Sequence, residues 1–431
     1  SSLATTRSAM EQRLAVVAKS RDDLRSALST AAEGQLPLGS SRGMASASGG
    51  KRAFLFTGQG AQTLGMGREL HETWPVFREA FESCVARFDK LLDRPLRDVM
   101  WADPHRADAR WLDQTGYTQP ALFTLQVALC ALLSSWGIRP DILIGHSIGE
   151  LAAAYEAGVF SLDDATKLVA ARAQLMQALP VEGSMLAISA PEHEVAAVIA
   201  THANVVSIAA VNGPGQVVIS GASASVAEIG QFFSARGVRT KQLKVSHAFH
   251  SPLMQPMLCA FDNVAKSIHF QRPRVPLISN LSGKLHSDEI TQVSYWVRHV
   301  RETVRFADGV KALHDAGATT FIEVGPKPAL LPLVSECLPG CDISLIKTLQ
   351  QVGEENASVL GALGNLWTTG ARVMWSGVFP ARSRHVPLRG YPWQRERYWL
   401  DAPVRNEAPT LGRPHRWVLS GSALALPGGN I

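Results

Sequence analysis

The chain has 431 residues, enough to bury a large core and to hold more than one domain. Apolar residues make up 46% and charged residues 18%, the proportions of an ordinary globular enzyme. The net charge of +5 comes from 42 basic and 37 acidic residues spread along the sequence, with no basic block of the kind that binds nucleic acid. That excess suits an acidic or phosphate-bearing partner, and equally suits ordinary surface variation. The five cysteines, Cys84, Cys130, Cys259, Cys337 and Cys341, lack paired metal-site spacing and read as reduced thiols of a cytoplasmic protein, with no metal site expected. The first residues, Ser1 to Arg7, lack the form of a signal peptide and begin without Met, which reads as a piece cut from a longer chain.

In chain order, residues 8–30 combine an apolar run, Leu14 to Ala18, with a helical pattern, Asp22 to Leu28. Residues 33–50 are rich in Gly and Ser and read as a linker or flexible loop. Ala53 to Thr57 is a strand, followed by the Gly-rich turn Gly58-Gln59-Gly60-Ala61-Gln62. The turn lacks the ending of a phosphate-binding loop, and can equally present backbone N–H groups to an active site. Trp74, Phe77, Phe81, Val85 and Phe88 form one helical stripe and read as core. From Gln114 to Ile138 there is no charged residue. Polar interruptions, and the strand that follows, make this a buried helix from Pro120 to Ser135 rather than a membrane span.

Ile142 to Ile144 reads as a buried strand, Gly145-His146-Ser147-Ile148-Gly149 as a tight turn, and Glu150 to Ala154 as helix. A Ser between two glycines, after a strand and before a helix, has the pattern of a nucleophile elbow. The helix start offers free N–H groups to a developing oxyanion. The plainer alternative is a Ser that only caps the helix. Ser161-Leu162-Asp163-Asp164 caps the next helix, which runs to Leu179 and carries Arg172. Spacing alone makes Arg172 a solvated surface residue.

Residues 184–246 change character. Strands at Met185–Ser189, Val205–Val211, Gln216–Ser220 and Lys241–Val245 alternate with helices at Pro191–Ala200 and Ser223–Arg236. The order βαββαβ is the ferredoxin-like unit, read as a small inserted domain. The chain returns with His247-Ala248-Phe249-His250. Either His could be structural, and a metal would need a third ligand that is not close by. One of them is well placed to activate Ser147, since a Ser hydroxyl needs a base within hydrogen-bond reach. Further strands are expected at Pro276–Asn280, Thr320–Val324 and Ile343–Leu349, and the Pro- and aromatic-rich stretch Val386 to Trp399 is expected to lie along the surface.

Taken together these motifs resemble the acyltransferase domain of a modular type I polyketide synthase, related to malonyl-CoA:acyl carrier protein transacylases. Gly58 to Gln62, Tyr117-Thr118-Gln119-Pro120, Gly145 to Glu150, Val211-Asn212-Gly213-Pro214, His247 to His250 and Glu323-Val324-Gly325-Pro326 stand in the family's order. The resemblance implies an α/β fold, with a large α/β-hydrolase-like domain around a parallel sheet and the small ferredoxin-like subdomain inserted in it. It implies the end of a ketosynthase-to-acyltransferase linker at 1–50, the large subdomain at 51–183 and 247–375, and the small one at 184–246. A following linker would occupy 376–403; the tail, 404–431, carries no part of the resemblance and is read as the start of another domain.

The same resemblance assigns Ser147 as nucleophile, His250 as general base, and the backbone N–H groups of Gln59 and Ile148 as oxyanion hole. It reverses the reading of Arg172, which becomes the grip for the substrate's free carboxylate, with Gln119, Phe249 and His247 as further substrate contacts. A backbone carbonyl near Val304-Arg305 is expected to orient His250. The implied reaction moves an extender unit from CoA to the phosphopantetheine thiol of an acyl carrier protein through an acyl-Ser intermediate. No cofactor would be bound by the domain itself, and its partners would be malonyl-CoA, the carrier protein and other domains such as a ketosynthase, with no nucleic acid or membrane. The motif containing Phe249, with Thr115 to Gln119 and Ile148, resembles the malonyl-selective form, in which Phe249 fills the space a 2-methyl branch needs. Three other readings stand beside it: a methylmalonyl-selective transferase, a serine hydrolase with the same elbow, and a non-catalytic docking module.

Overall fold

The computed structural model describes residues 2–37, 39–45, 50–286, 288–379 and 386–387. The chain divides into two units, Ser1–His385 and Val386–Ile431, and both main sheets belong to the first. The expected tail at 404–431, and most of the linker expected at 376–403, lie outside the described residues.

The elements that matter for the site follow in chain order. Strand β1 (Gln12–Val16), helix α1 (Arg21–Ala32) and strand β2 (Ser40–Met44) precede the body. Strand β3 (Lys51–Phe56), helices α2 (Pro75–Phe88) and α3 (Thr115–Ser135), strand β4 (Ile142–Gly145), and helices α4 (Ile148–Glu156) and α5 (Leu162–Gln177) come next. Strand β5 (Gly183–Ile188), helix α6 (Glu192–Ile199), strands β6 (Val206–Gly213) and β7 (Gln216–Ala222), helix α7 (Ser223–Ser234) and strand β8 (Thr240–Gln242) form the small unit. Strand β9 (Leu277–Ile278), helix α8 (Val293–Arg301), strands β10 (Ala318–Val324) and β11 (Ser344–Lys347) and helix α9 (Glu355–Thr368) complete the body.

The large sheet runs β11-β10-β3-β4-β9, and every pairing in it is parallel. Its apolar strands are covered on both faces, as parallel sheets require. The small sheet runs β6-β7-β5-β8 with antiparallel pairings, the strand order of a ferredoxin-like unit. The fold is therefore the expected α/β architecture with a parallel sheet and a small antiparallel subdomain. Strand β6 also bonds to the large unit: Val211 N–H donates to Val304 O and Val304 N–H to Ala209 O, both at 2.9 Å. Helix α3 is long and apolar enough to cross a membrane, yet it is mostly buried inside the protein. Phe77, Phe81, Val85 and Phe88 of α2 are buried, as their stripe predicts.

Three local differences from the sequence reading have physical causes. Residues 33–50 do not form only a loop, because β2 pairs antiparallel with β1 from Val16↔Ser40 to Gln12↔Met44. Small residues permit this: a Cβ at Gly43 would lie 2.8 Å from Thr368 O, and one at Gly364 would lie 2.8 Å from the Ala15 Cβ, so the hairpin packs closely on α9. Helix α3 begins at Thr115, not Pro120, so Pro120 lies inside the helix, where it cannot donate to the carbonyl of Gly116. Strand β9 stops at Ile278, because Ser279 turns the chain, accepting from Gly283 N–H and donating to Lys284 O.

The crevice at the carboxyl ends of β3 and β4 is where an open α/β sheet binds ligands. Strand and helix touch there. A Cβ on Gly149 would lie 2.1 Å from Phe56 O, and one on Gly145 would lie 2.1 Å from Glu150 N. The Gly149→Ala substitution should therefore destabilise the protein by at least about 1–3 kcal/mol, the cost of overpacking, seen as a lower urea midpoint. An unchanged midpoint would mean that β3 and α4 can move apart freely.

Candidate active site

Ser147 stands at the N-cap of α4 with φ 51° and ψ −117°. This conformation turns the Ser147 hydroxyl away from the helix, since its side chain makes no capping bond. The capping alternative is thereby excluded. Ser147 Oγ lies 2.7 Å from His250 Nε2. His250 Nδ1 lies 2.9 Å from Glu302 O, an acceptor only, so Nδ1 carries the proton and Nε2 is free to accept from the hydroxyl. The carbonyl expected near Val304-Arg305 is that of Glu302, two residues before Val304, whose own carbonyl accepts from Val211 N–H. The Glu302 carboxylate pairs with Arg298, so only its main chain serves His250.

Burial pushes the His250 imidazole well below its usual 6.5, and the charges of Arg172 and His299 add to the effect. The ring is therefore neutral at pH 7, the state a base requires. Arg172 is 2% exposed, which overturns the surface reading of its position. Its Nη1 donates to Gln119 Oε1 at 2.5 Å, its Nη2 to Ser147 Oγ at 3.1 Å, and its Nε has no partner among the described residues. Burial lowers Arg172 to about 9, against a raising effect of Glu150, and it remains a cation. Gln119 Nε2 donates in turn to Thr115 Oγ1, and Thr115 Oγ1 to Gln59 Oε1, each at 2.9 Å. A polar relay thus runs from the guanidinium to the turn after β3.

A cavity of about 210 Å³ opens here, lined by Gln59, Ser147, Ile148, Arg172, Phe249 and His250 and by small-sheet residues such as Met185 and Ala210. The N–H groups of Gln59 and Ile148 donate to no described residue. Larger clefts of about 760 and 540 Å³ lie elsewhere, beside Lys19 and Lys347 and beside Arg52 and Asp141, and contain no paired nucleophile and base. Two of the expected substrate contacts are not brought to the cavity. Gln119 is buried behind Arg172 and holds its fork. His247 is buried and faces the other way, with Nε2 on Leu179 O and Nδ1 on Ser246 Oγ, both at 2.9 Å. Two residues, Ala248 and Phe249, lie between His247 and His250, and His250 has a positive φ of 55°.

Sequence reasoning missed Asn280 and Glu150. Asn280 Oδ1 accepts from Ser147 N–H at 2.8 Å. Glu150, fully buried, accepts from Asn280 N–H at 3.0 Å and from the Tyr295 hydroxyl, with His286 Nε2 at 3.0 Å and His299 Nε2 at 3.1 Å. Burial raises its proton affinity, but His299 and His286 outweigh this and hold Glu150 at about 2. Glu150 sits in the elbow motif and was read only as a helix former, while a lone Asn after a short strand carries no signal.

Comparison with known proteins identifies the family and the fold. Residues 53–373 match the family model described as acyl transferase domain. The chain is 44% identical over 439 residues to polyketide synthase GfsA of Streptomyces halstedii, covering all of this chain and 6% of that protein. It is 45% identical to the mycoketide-CoA synthase of Mycobacterium tuberculosis, covering 98% of this chain and 10% of that one. The chain thus spans a tenth or less of the length of these two relatives. Among solved structures, the acyltransferase domain from the second module of the salinomycin polyketide synthase superposes with a TM-score of 0.82 at 46% identity, covering 88% of each chain. An acyl carrier protein S-malonyltransferase from Vibrio cholerae gives 0.64 at 30% identity, covering 71% of this chain and 99% of that one. With a nucleophile elbow, a neutral imidazole and a buried guanidinium meeting between a parallel sheet and a ferredoxin-like unit, this chain belongs to the acyl transferase domain family of modular polyketide synthases.

Proposed function

We propose that this domain loads a malonyl group from CoA onto Ser147 and passes it to the phosphopantetheine thiol of an acyl carrier protein within a polyketide synthase. The observation that carries the reading is Arg172. Its guanidinium is buried, makes no ion pair among the described residues, and stands 3.1 Å from the nucleophile with Nε unpartnered. A buried cation without a counter-ion is costly, and a substrate carboxylate is the natural partner for its planar fork.

In the first half-reaction His250 Nε2 accepts the Ser147 proton while Oγ attacks the thioester carbonyl. The oxyanion faces the N–H groups of Gln59 and Ile148. The C–S bond breaks, His250 returns its proton to the departing sulfur, and the acyl group remains as an ester. In the second half the carrier thiol gives its proton to His250 and attacks the ester, and Ser147 recovers the proton. A carboxylate seated on Arg172 cancels part of the charge that depresses His250, so binding the correct substrate strengthens the base. Phe249 lines the cavity, and its ring supports malonyl over a 2-methyl-branched analogue. A methyl group is worth about 1–3 kcal/mol of discrimination.

Three outcomes are expected. In a competition between malonyl-CoA and methylmalonyl-CoA, intact mass should show mainly a malonyl adduct, absent from Ser147→Ala. A mainly methylmalonyl adduct would overturn the selectivity, and rapid release of free malonate without carrier protein would favour a hydrolase. Arg172→Ala should lower malonyl loading about 10- to 100-fold more than acetyl loading, matching the worth of hydrogen bonds to a charged group. An equal loss for both acyl groups would remove the carboxylate role. Finally, because the folded His250 binds its proton only well below 6.5, the acylation rate should stay level as pH falls through 6.5. Over the same range the unfolded chain takes up a proton that the folded chain refuses, so stability declines as pH drops below 6.5. An acid limb centred at 6.5 in the rate profile would contradict a desolvated base.

A further inference from the structure

We infer that Asn280 is the positioning residue that holds the nucleophile in its strained conformation and ties it to the base, an inference that rests on the acyl-transfer reading above. Asn280 is 1% exposed and follows the short strand β9, which pairs with β4 beside the elbow. Its side-chain amide spans the turn. Oδ1 accepts from Ser147 N–H at 2.8 Å, and Nδ2 donates to Gly145 O at 2.7 Å. One planar group therefore sets the spacing of the main chain on both sides of His146. The bond to Oδ1 also commits the Ser147 N–H away from the cavity, which leaves oxyanion binding to Ile148 and Gln59.

The main chain of Asn280 is fixed just as firmly. Its N–H donates to Glu150 Oε2 at 3.0 Å, and its carbonyl accepts from Arg305 N–H at 2.7 Å. Arg305 lies on the same segment as Glu302, whose carbonyl orients His250. Asn280 thus touches the support of the nucleophile and the support of the base at once. Only an amide serves both bonds of the side chain. An alkyl group would satisfy neither, and an ionised carboxyl would set an oxygen against Gly145 O, leaving a buried acceptor without its donor.

The test is rapid-quench intact mass of malonyl-Ser147 formation in wild type, N280A and N280D across pH. In N280A the acylation rate constant should fall about 100-fold, the cost of a misplaced reacting group, while the KM for malonyl-CoA stays near wild type because Arg172 and the cavity are untouched. N280D should match N280A at high pH and recover relative to wild type as pH falls, when the introduced carboxyl gains a proton and can again donate to Gly145 O. The groups around that position, Glu150 with His286, Tyr295 and His299 beyond it, and Arg305, are present in all three proteins, so normalising to wild type removes their own titration. The isosteric N280D carries the test if N280A does not fold. A wild-type rate in N280A, a loss lying wholly in KM, or no recovery of N280D on acidification would overturn the inference. Failure of wild type itself to form the adduct would instead overturn the acyl-transfer reading, and this inference with it.

Discussion

Everything at the cleft depends on a main chain held where L-residues rarely rest. Among the described residues, Ser147 and His250 are the two non-glycine residues with positive φ, at 51° and 55°. Each such conformation costs about 1–3 kcal/mol and persists only where its surroundings over-determine it. At Ser147 those surroundings are explicit. Two glycines let β3, β4 and α4 approach to distances that no side chain would allow, and the buried Asn280 and Glu150 hold the turn from behind. At His250 the carbonyl is bonded by Ser207 Oγ at 2.7 Å and the ring by Glu302 O. The rigid core is what makes such strain tolerable.

A second constraint is electrostatic. The cavity places a cation where water is scarce and balances it with neutral dipoles, Gln119 Oε1 and Ser147 Oγ, rather than with an acid. The carboxylate that is present, Glu150, is occupied on the other side of the elbow by Asn280, Tyr295 and two imidazoles. Charges of opposite sign are thereby kept in separate compartments, one structural and one open to the cavity. The relay through Thr115 ends at Gln59, so the same network that fixes the guanidinium also fixes the turn after β3.

Much of this was legible in the sequence, for definable reasons. The parallel strands are short apolar runs, the elbow has glycines at fixed offsets, and βαββαβ is a countable order. Arg172 shows the limit of periodicity: a guanidinium on a helix reads as solvated, and only the resemblance placed it inside. His247 and His250 are chemically identical in the sequence, and a left-handed turn decides which one meets Ser147. The carbonyl of Glu302 has no side-chain signature, so its position could be approached but not fixed. Strand β2 escaped notice because Ser and Gly carry no apolar pattern, although close contact with α9 needs those small residues.

The bond between β6 and the 302–305 segment has a mechanical consequence. Strand β6 grips the main chain of the base through Ser207, and Thr303 donates back to Ile208 O at 2.7 Å. The small sheet and the carbonyl that steers the imidazole are therefore one bracket. Swinging the lobes apart like jaws would pull on the main chain of His250 and on the carbonyl that holds its ring. A ligand must therefore enter a cleft whose two walls stay joined at the bonds from β6 to the 302–305 segment.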